Sequence, residues 1–268
     1  MKIETARTSS FTMDYCRFGR GEKTLVILPG LSVQRVLPSA DAIAAAYEML
    51  TDDFTIYVFE RRNELPVAYS IYDMARDTAK AFMALGLGPV YLFGASQGGM
   101  IAMEIAVEYP ALVQAMVLGS TSASVGQNQA IESWIQFAKV GKATELYLAF
   151  GQALYPQPVF EQAKELLLEA AKTVTEEDLR RFVILAEGTN DFDVVRDLGK
   201  IACPVLVIGS KADRVLGGDA SLQIAKHVKA SSLYMYDGYG HAVFDLAPDY
   251  KQRMLQFLAP DSGRLISK

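Results

Sequence analysis

Apolar positions along the chain fall into two rhythms. At 24–28, 54–59, 90–93, 113–118, 204–209 and 232–236 they gather into short runs rich in Val, Ile, Leu, Phe and Tyr. Runs of that length with little polar alternation predict strands buried on both faces, as in a parallel sheet covered by helices. Between them the spacing lengthens. Over 71–85, Met74, Thr78, Ala81, Phe82 and Leu85 make one stripe, and Asp73, Arg76, Asp77 and Lys80 make the other. That predicts an amphipathic helix, stopped by Gly86 and Gly88-Pro89. Helical character also runs over 37–50, 219–228 and 246–258. The first residues read as two β segments, 3–8 and 11–18, that meet at a Ser9-Ser10 turn. Glu60-Arg61-Arg62, at the end of the strand over 54–59, reads as a salt-bridged turn in preference to a substrate contact.

From about 122 to 198 the pattern changes. No strand run occurs, and successive helices are predicted instead. Ala163, Leu166, Leu167, Ala170, Ala171 and Val174 keep helical spacing. Thr175-Glu176-Glu177-Asp178 has the form of a capping box ahead of Leu179, Phe182, Val183 and Ala186. The chain therefore divides into a core, 1–121 with 199–268, and a helical insertion, 122–198.

One stretch carries the chemistry. Val90-Tyr91-Leu92-Phe93 leads into Gly94-Ala95-Ser96-Gln97-Gly98-Gly99 and leaves as an apolar helix. A strand that breaks sharply into a helix at a serine, with glycine two residues either side, is a nucleophile elbow. Small neighbours let strand and helix pass closely, the strained bend lifts the hydroxyl above the sheet edge, and the helix N-terminus favours developing negative charge.

The landmarks extend beyond the elbow. Leu28-Pro29-Gly30-Leu31, Phe59-Glu60-Arg61-Arg62, the run 201–209 followed by Asp213, and Gly238-Tyr239-Gly240-His241 stand around it in order. Together they resemble the α/β-hydrolase family, serine esterases and lipases with a helical cap. The resemblance implies an eight-stranded, mostly parallel sheet flanked by helices, with 122–198 as the cap or lid. It implies a Ser-His-Asp triad. A serine hydroxyl needs a base in hydrogen-bond reach, and the base needs a partner. Of the two histidines, His227 sits in a surface-like helix between Lys226 and Lys229, which leaves His241 as the base. The family's acid follows the seventh strand or, in some members, the sixth. No Asp or Glu lies between Glu108 and Glu132, so Asp213 is the implied acid, ahead of Asp219 and Asp237. The backbone N–H groups of Leu31 and Gln97 are the implied oxyanion donors, although Pro29 stands where many relatives have His. Trp134, Phe137 and Phe150 are candidate walls of an apolar acyl pocket, against the plainer reading that aromatic residues there hold the cap together.

Composition narrows the class. The 268 residues are 51% hydrophobic and 21% charged, which suits one α/β domain with an insertion. A net charge of −5 argues against nucleic acid or an anionic membrane as partner. Stretch 81–103 has no charged residue, but its glycines and Pro89 mark a buried strand between helices and not a membrane span. Cys16 and Cys203 form no metal or disulfide pattern, and the first residues lack an apolar signal core, which points to the cytoplasm. No metal or cofactor is expected. The expected activity is hydrolysis of a small or medium apolar carboxylic ester through an acyl-enzyme. The alternatives are the same triad acting on a C–C bond, thioester, lactone or peracid, or a non-catalytic ligand-binding protein on this fold.

Overall fold

Eight of the β-favouring stretches join in one sheet. A computed structural model of the chain describes residues 1–260. The strands are β1 (Ile3–Arg7), β2 (Thr12–Gly19), β3 (Lys23–Leu28), β4 (Phe54–Arg62), β5 (Val90–Ala95), β6 (Val113–Gly119), β7 (Val205–Ser210) and β8 (Ser231–Tyr236). Their spatial order is β1-β2-β4-β3-β5-β6-β7-β8. Pairings β1·β2 and β2·β4 are antiparallel, and all the others are parallel. The expected eight-stranded, mostly parallel α/β sheet is what forms.

Alternate residues of the central strands feed two separate cores, as the period of a strand requires. Val26, Leu28, Leu92 and Val207 join one, with Met74 and Phe82 of α2 (Ile71–Ala84) and Met100 and Ile101 of α3 (Gln97–Glu108). Leu25, Ile27, Phe93 and Ile208 join the other. There they pack with Tyr250, Met254 and Leu258 of the final helix. A capping box starts α2: the Ser70 hydroxyl accepts from the Asp73 N–H, and the Asp73 carboxylate accepts from Ser70.

Three local expectations change. The helix read over 37–50 is broken, with only Ala40–Ala46 in α-helix between two 3₁₀ turns. The closing helix read over 246–258 is two pieces, Val243–Leu246 and Tyr250–Leu258, because Pro248 has no N–H to continue the ladder. Glu60-Arg61-Arg62 is not a turn, since β4 runs on through Arg62 and buries both Glu60 and Arg61.

Between β6 and β7 the chain makes four helices: Gln129–Lys139 (α4 in the count that makes Ala40–Ala46 α1), α5 (Ala143–Leu154), α6 (Gln157–Ala171) and α7 (Glu176–Glu187). The Thr175–Asp178 capping box starts α7 as read. The ends of this excursion meet in an antiparallel bridge, Ser124 to Asp193, flanked by hydrogen bonds from Val125 N–H to Phe192 O and from Val194 N–H to Ala123 O. Of the segment 199–268 read as core, residues 261–268 lie outside the described residues.

Packing leaves no room for a side chain where β5 turns into α3. A Cβ on Gly98 would stand 1.9 Å from Leu28 O, and one on Gly94 would stand 2.5 Å from Gly98 O. Both obstacles are backbone atoms, which have nowhere to go. Gly98→Ala should therefore destabilise the protein by about 3 kcal/mol, the upper range for overpacking. Gly126→Ala, where a Cβ meets nothing within 4 Å, should stay within about 0.5 kcal/mol. Urea unfolding midpoints of the two variants check both values.

Candidate active site

The triad and oxyanion candidates follow the carboxyl ends of parallel strands, where an open α/β sheet leaves a crevice. Leu31 follows β3, Ser96 follows β5, Asp213 follows β7 and His241 follows β8. Ser96 adopts φ 50°, a conformation that a side-chain-bearing residue takes only when its surroundings enforce it. Its own backbone is held from both sides: its N–H donates to Gly119 O, and its carbonyl accepts from the Thr121 hydroxyl at 2.7 Å.

The three side chains named from the sequence meet. His241 Nε2 lies 2.9 Å from Ser96 Oγ, across 145 residues of chain. His241 Nδ1 lies 2.8 Å from Asp213 Oδ2. With Nδ1–H donating to the carboxylate, Nε2 is left as the acceptor for the serine proton. The other Asp213 oxygen accepts from the backbone N–H groups of Val215 and Leu216, at 2.8 and 3.1 Å. Burial alone would raise the Asp213 carboxyl. The hydrogen bond and charge of His241 and these two N–H groups outweigh it and hold the carboxyl below its ordinary range. The rival carboxylates are elsewhere. Asp237 is exposed and pairs with Lys211, and Asp219 lies in the first turn of α8 (Asp219–His227). His227 is at the exposed end of that helix, bonded to Gln223 O.

Leu31 and Gln97 both border the space above Ser96, with Gly30 close enough that a Cβ there would stand 3.2 Å from Ser96 Cβ. Neither the Leu31 nor the Gln97 N–H meets an acceptor among the described residues, and Gln97, first in α3, has no intrahelical one.

Above Ser96 is a narrow cavity of about 50 Å³ between the sheet edge and the helices that follow β6. Trp134 and Phe150 line it with their rings 4.6 Å apart, alongside Met100, Ile131 and Leu216. Among the described residues no Lys, Arg, Asp or Glu is on its wall. The polar side chains besides Ser96 and His241 are already committed: Thr189 donates to Ala186 O and Gln97 to Leu185 O. Phe137, expected beside Trp134, is not on this wall. Helix α4 turns Ile131, Trp134, Ile135 and Ala138 inward, and Phe137 falls at the edge of that stripe. It faces a separate open groove of about 630 Å³ with Gln129, Lys139 and Glu187, which none of Ser96, Asp213 and His241 borders.

The charged end of β4 is the part of the site that the sequence does not disclose. Glu60 accepts from the Val36 and Leu37 N–H groups and pairs with Arg181 of α7 at 3.2 Å, both side chains buried. Arg61 Nη2 donates to Pro29 O and to Gln97 Oε1. Adjacent charges signal that something must satisfy them, but the partners of Glu60 and Arg61 are 23 to 121 residues away. Among the described residues no group of three or more His, Cys, Asp or Glu could hold a metal ion, and no helix is long and apolar enough to cross a membrane.

Comparison with known proteins agrees with this architecture. The family described as Serine aminopeptidase, S33, matches residues 68–245. "Putative carbamate hydrolase RutD" of Agrobacterium fabrum is 29% identical over 228 residues, covering 80% of this chain and 86% of that protein. A 2-hydroxy-6-oxononadienedioate/2-hydroxy-6-oxononatrienedioate hydrolase of Burkholderia vietnamiensis is 29% identical over 206 residues, covering 69% of this chain and 67% of that one. The crystal structure of MGS-M2, an alpha/beta hydrolase enzyme from a Medee basin deep-sea metagenome library, superposes with a TM-score of 0.85 at 20% identity, covering 99% of this chain and 100% of that one. Sheet order, strand-end crevice and family match lead to one conclusion: the chain belongs to the α/β-hydrolase family and is a hydrolase enzyme of that fold.

Proposed function

We propose that this enzyme cleaves a small, uncharged carboxylic ester or closely related acyl compound through a Ser96–His241–Asp213 triad. The observation that carries the reading is the unbroken hydrogen-bonded line from Ser96 Oγ through the imidazole to Asp213. In the mechanism, Ser96 attacks the acyl carbonyl as His241 Nε2 takes its proton. Asp213 fixes the tautomer and stabilises the imidazolium. The N–H groups of Leu31 and Gln97 receive the oxyanion. His241 then protonates the leaving alcohol, and a water activated by the same imidazole releases the acid.

The substrate class follows from the walls. A cavity of about 50 Å³ accepts a short acyl group, with Trp134 and Phe150 closing its far side. Segment 122–198 acts as the cap that excludes water from it. A substrate carboxylate buried there would meet no cation, and an unpaired buried charge is expensive. The dioate chemistry named for the Burkholderia relative therefore does not suit this site. An uncharged carbamate ester does: it presents the same kind of carbonyl, it is small, and the Agrobacterium relative is named a putative carbamate hydrolase. Two unpaired cysteines fit a reducing compartment such as the cytoplasm.

Four measurements test this. A fluorophosphonate probe should label the protein and short p-nitrophenyl esters should turn over, with Ser96→Ala abolishing labelling and lowering kcat by about 10⁴-fold or more. An unlabelled, inactive wild type would point instead to a ligand-binding role. Labelling with no turnover across esters and carbamates would favour a thioester, lactone, peracid or C–C substrate. Asp213→Asn should lower kcat by about 10²- to 10⁴-fold. Because Asp213 is held below its ordinary range, its own protonation does not set activity near neutral pH. A general base must be unprotonated to act, so kcat/KM should fall toward acid pH, and a profile flat from pH 5 to 8 would remove His241 as that base. Finally, Trp134→Ala should move the preferred ester toward longer acyl chains, while Phe137→Ala leaves the chain-length profile unchanged.

A further inference from the structure

The geometry points to Arg61 as a positioning residue for the oxyanion hole, tying together the two loops that supply its donors. The inference rests on the proposed triad chemistry. Leu31 comes from the loop after β3 and Gln97 from the first turn of α3, so the distance between their N–H groups is set by whatever spans the two. Arg61 spans them with one nitrogen. Its Nη2 lies 2.8 Å from Pro29 O, two residues before Leu31, and 3.1 Å from Oε1 of Gln97 itself. The far end of the Gln97 amide donates to Leu185 O of α7 at 2.7 Å, so the same side chain carries the brace into the helices above the cavity.

Stability alone is a poor explanation for a guanidinium in this place. Arg61 is 5% exposed, its recorded acceptors are neutral carbonyl oxygens, and its Nε meets no partner. The adjacent carboxylate, Glu60, is hydrogen-bonded to Arg181 and not to Arg61. Desolvation lowers the Arg61 guanidinium to about 10, so it remains charged at neutral pH and bears that cost. An apolar side chain of similar volume would avoid the burial of charge, but it would release Pro29 O and Gln97 Oε1. What the arginine supplies is direction: two carbonyl groups from separate loops converge on one donor in a dry site, where small displacements of an oxyanion donor are costly to catalysis.

The test uses Arg61→Met, Arg61→Lys and Gln97→Met, the last of which keeps the backbone N–H and drops the acceptor. For Arg61→Met we expect kcat on a short p-nitrophenyl ester to fall about 10- to 100-fold with KM within about twofold, somewhat less than the loss of a whole oxyanion donor. Inhibition by a short-chain boronic acid, whose adduct on Ser96 carries the oxyanion, should weaken by the same factor. The acid limb of the pH profile should not move, and Arg61→Lys should recover part of the loss. The double variant Arg61→Met/Gln97→Met should be no slower than the worse single variant, because the two act as one unit. A fall in the urea midpoint with kcat per folded molecule and boronate affinity unchanged would overturn the inference, as would additive losses in the double variant. If Arg61→Met does not fold, Arg61→Lys and Gln97→Met decide by the same kcat and boronate readings. Wild-type labelling and turnover lost in Ser96→Ala, with the Arg61 variants like wild type, would sink this inference alone. A wild type that neither labels nor turns over would sink the triad reading and this inference with it.

Discussion

The start of α3 passes against the end of β3 with no room for a side chain, the backbone of Gly98 lying against the carbonyl of Leu28. Much of the site follows from that contact. It forces the chain to turn at Ser96 with a positive φ, and it brings the start of α3 beside the loop that holds Leu31. Strain at one residue is tolerable because neighbouring groups over-determine it: Gly119 and Thr121 hold the backbone of Ser96, and two cores press on the strand below. The hydroxyl is left in one place, and a histidine from a distant loop needs only to reach that place.

Those features were legible in the sequence because they are spelled by residue type at fixed local spacing. Gly94 and Gly98 around Ser96 need no tertiary knowledge to read, and a chain with two histidines leaves little choice of base. The central strands were legible for a related reason, since burial on both faces makes their runs nearly all apolar. What the sequence hid was everything decided by partners far along the chain. Glu60 and Arg61 look like a polar turn until Arg181, Pro29 and Gln97 are seen around them. Phe137 looks like Trp134 until the inward stripe of α4 is seen to pass beside it, only half-burying it. Pro248 splits the last helical stretch, a local signal that the apolar spacing over 246–258 masked.

The helices after β6 also hold the loop after β3. Gln34, three residues past Leu31, accepts from the Tyr147 hydroxyl of α5, and Glu60 joins the same loop to Arg181 of α7. The loop after β3 is thus held from below by strand β4 and from above by two helices. Burial lowers the Arg181 guanidinium while Glu60 supports its charge, which makes this contact costly to separate in one piece.

The bridge between Ser124 and Asp193 has an evolutionary consequence. Because the excursion departs and returns at a single seam, β6 and β7 pair from Met116 with Val205 to Gly119 with Ile208 without help from anything between them. Helices beyond the seam can lengthen or shorten as long as they keep the few contacts they make to the strand-end loops, Ala242 N–H to Leu154 O, Asn128 to Val215 O and Gln97 to Leu185 O among them. Selection for a new substrate would then act first on the side chains this one module turns toward Ser96, with its seam and its backbone contacts inherited.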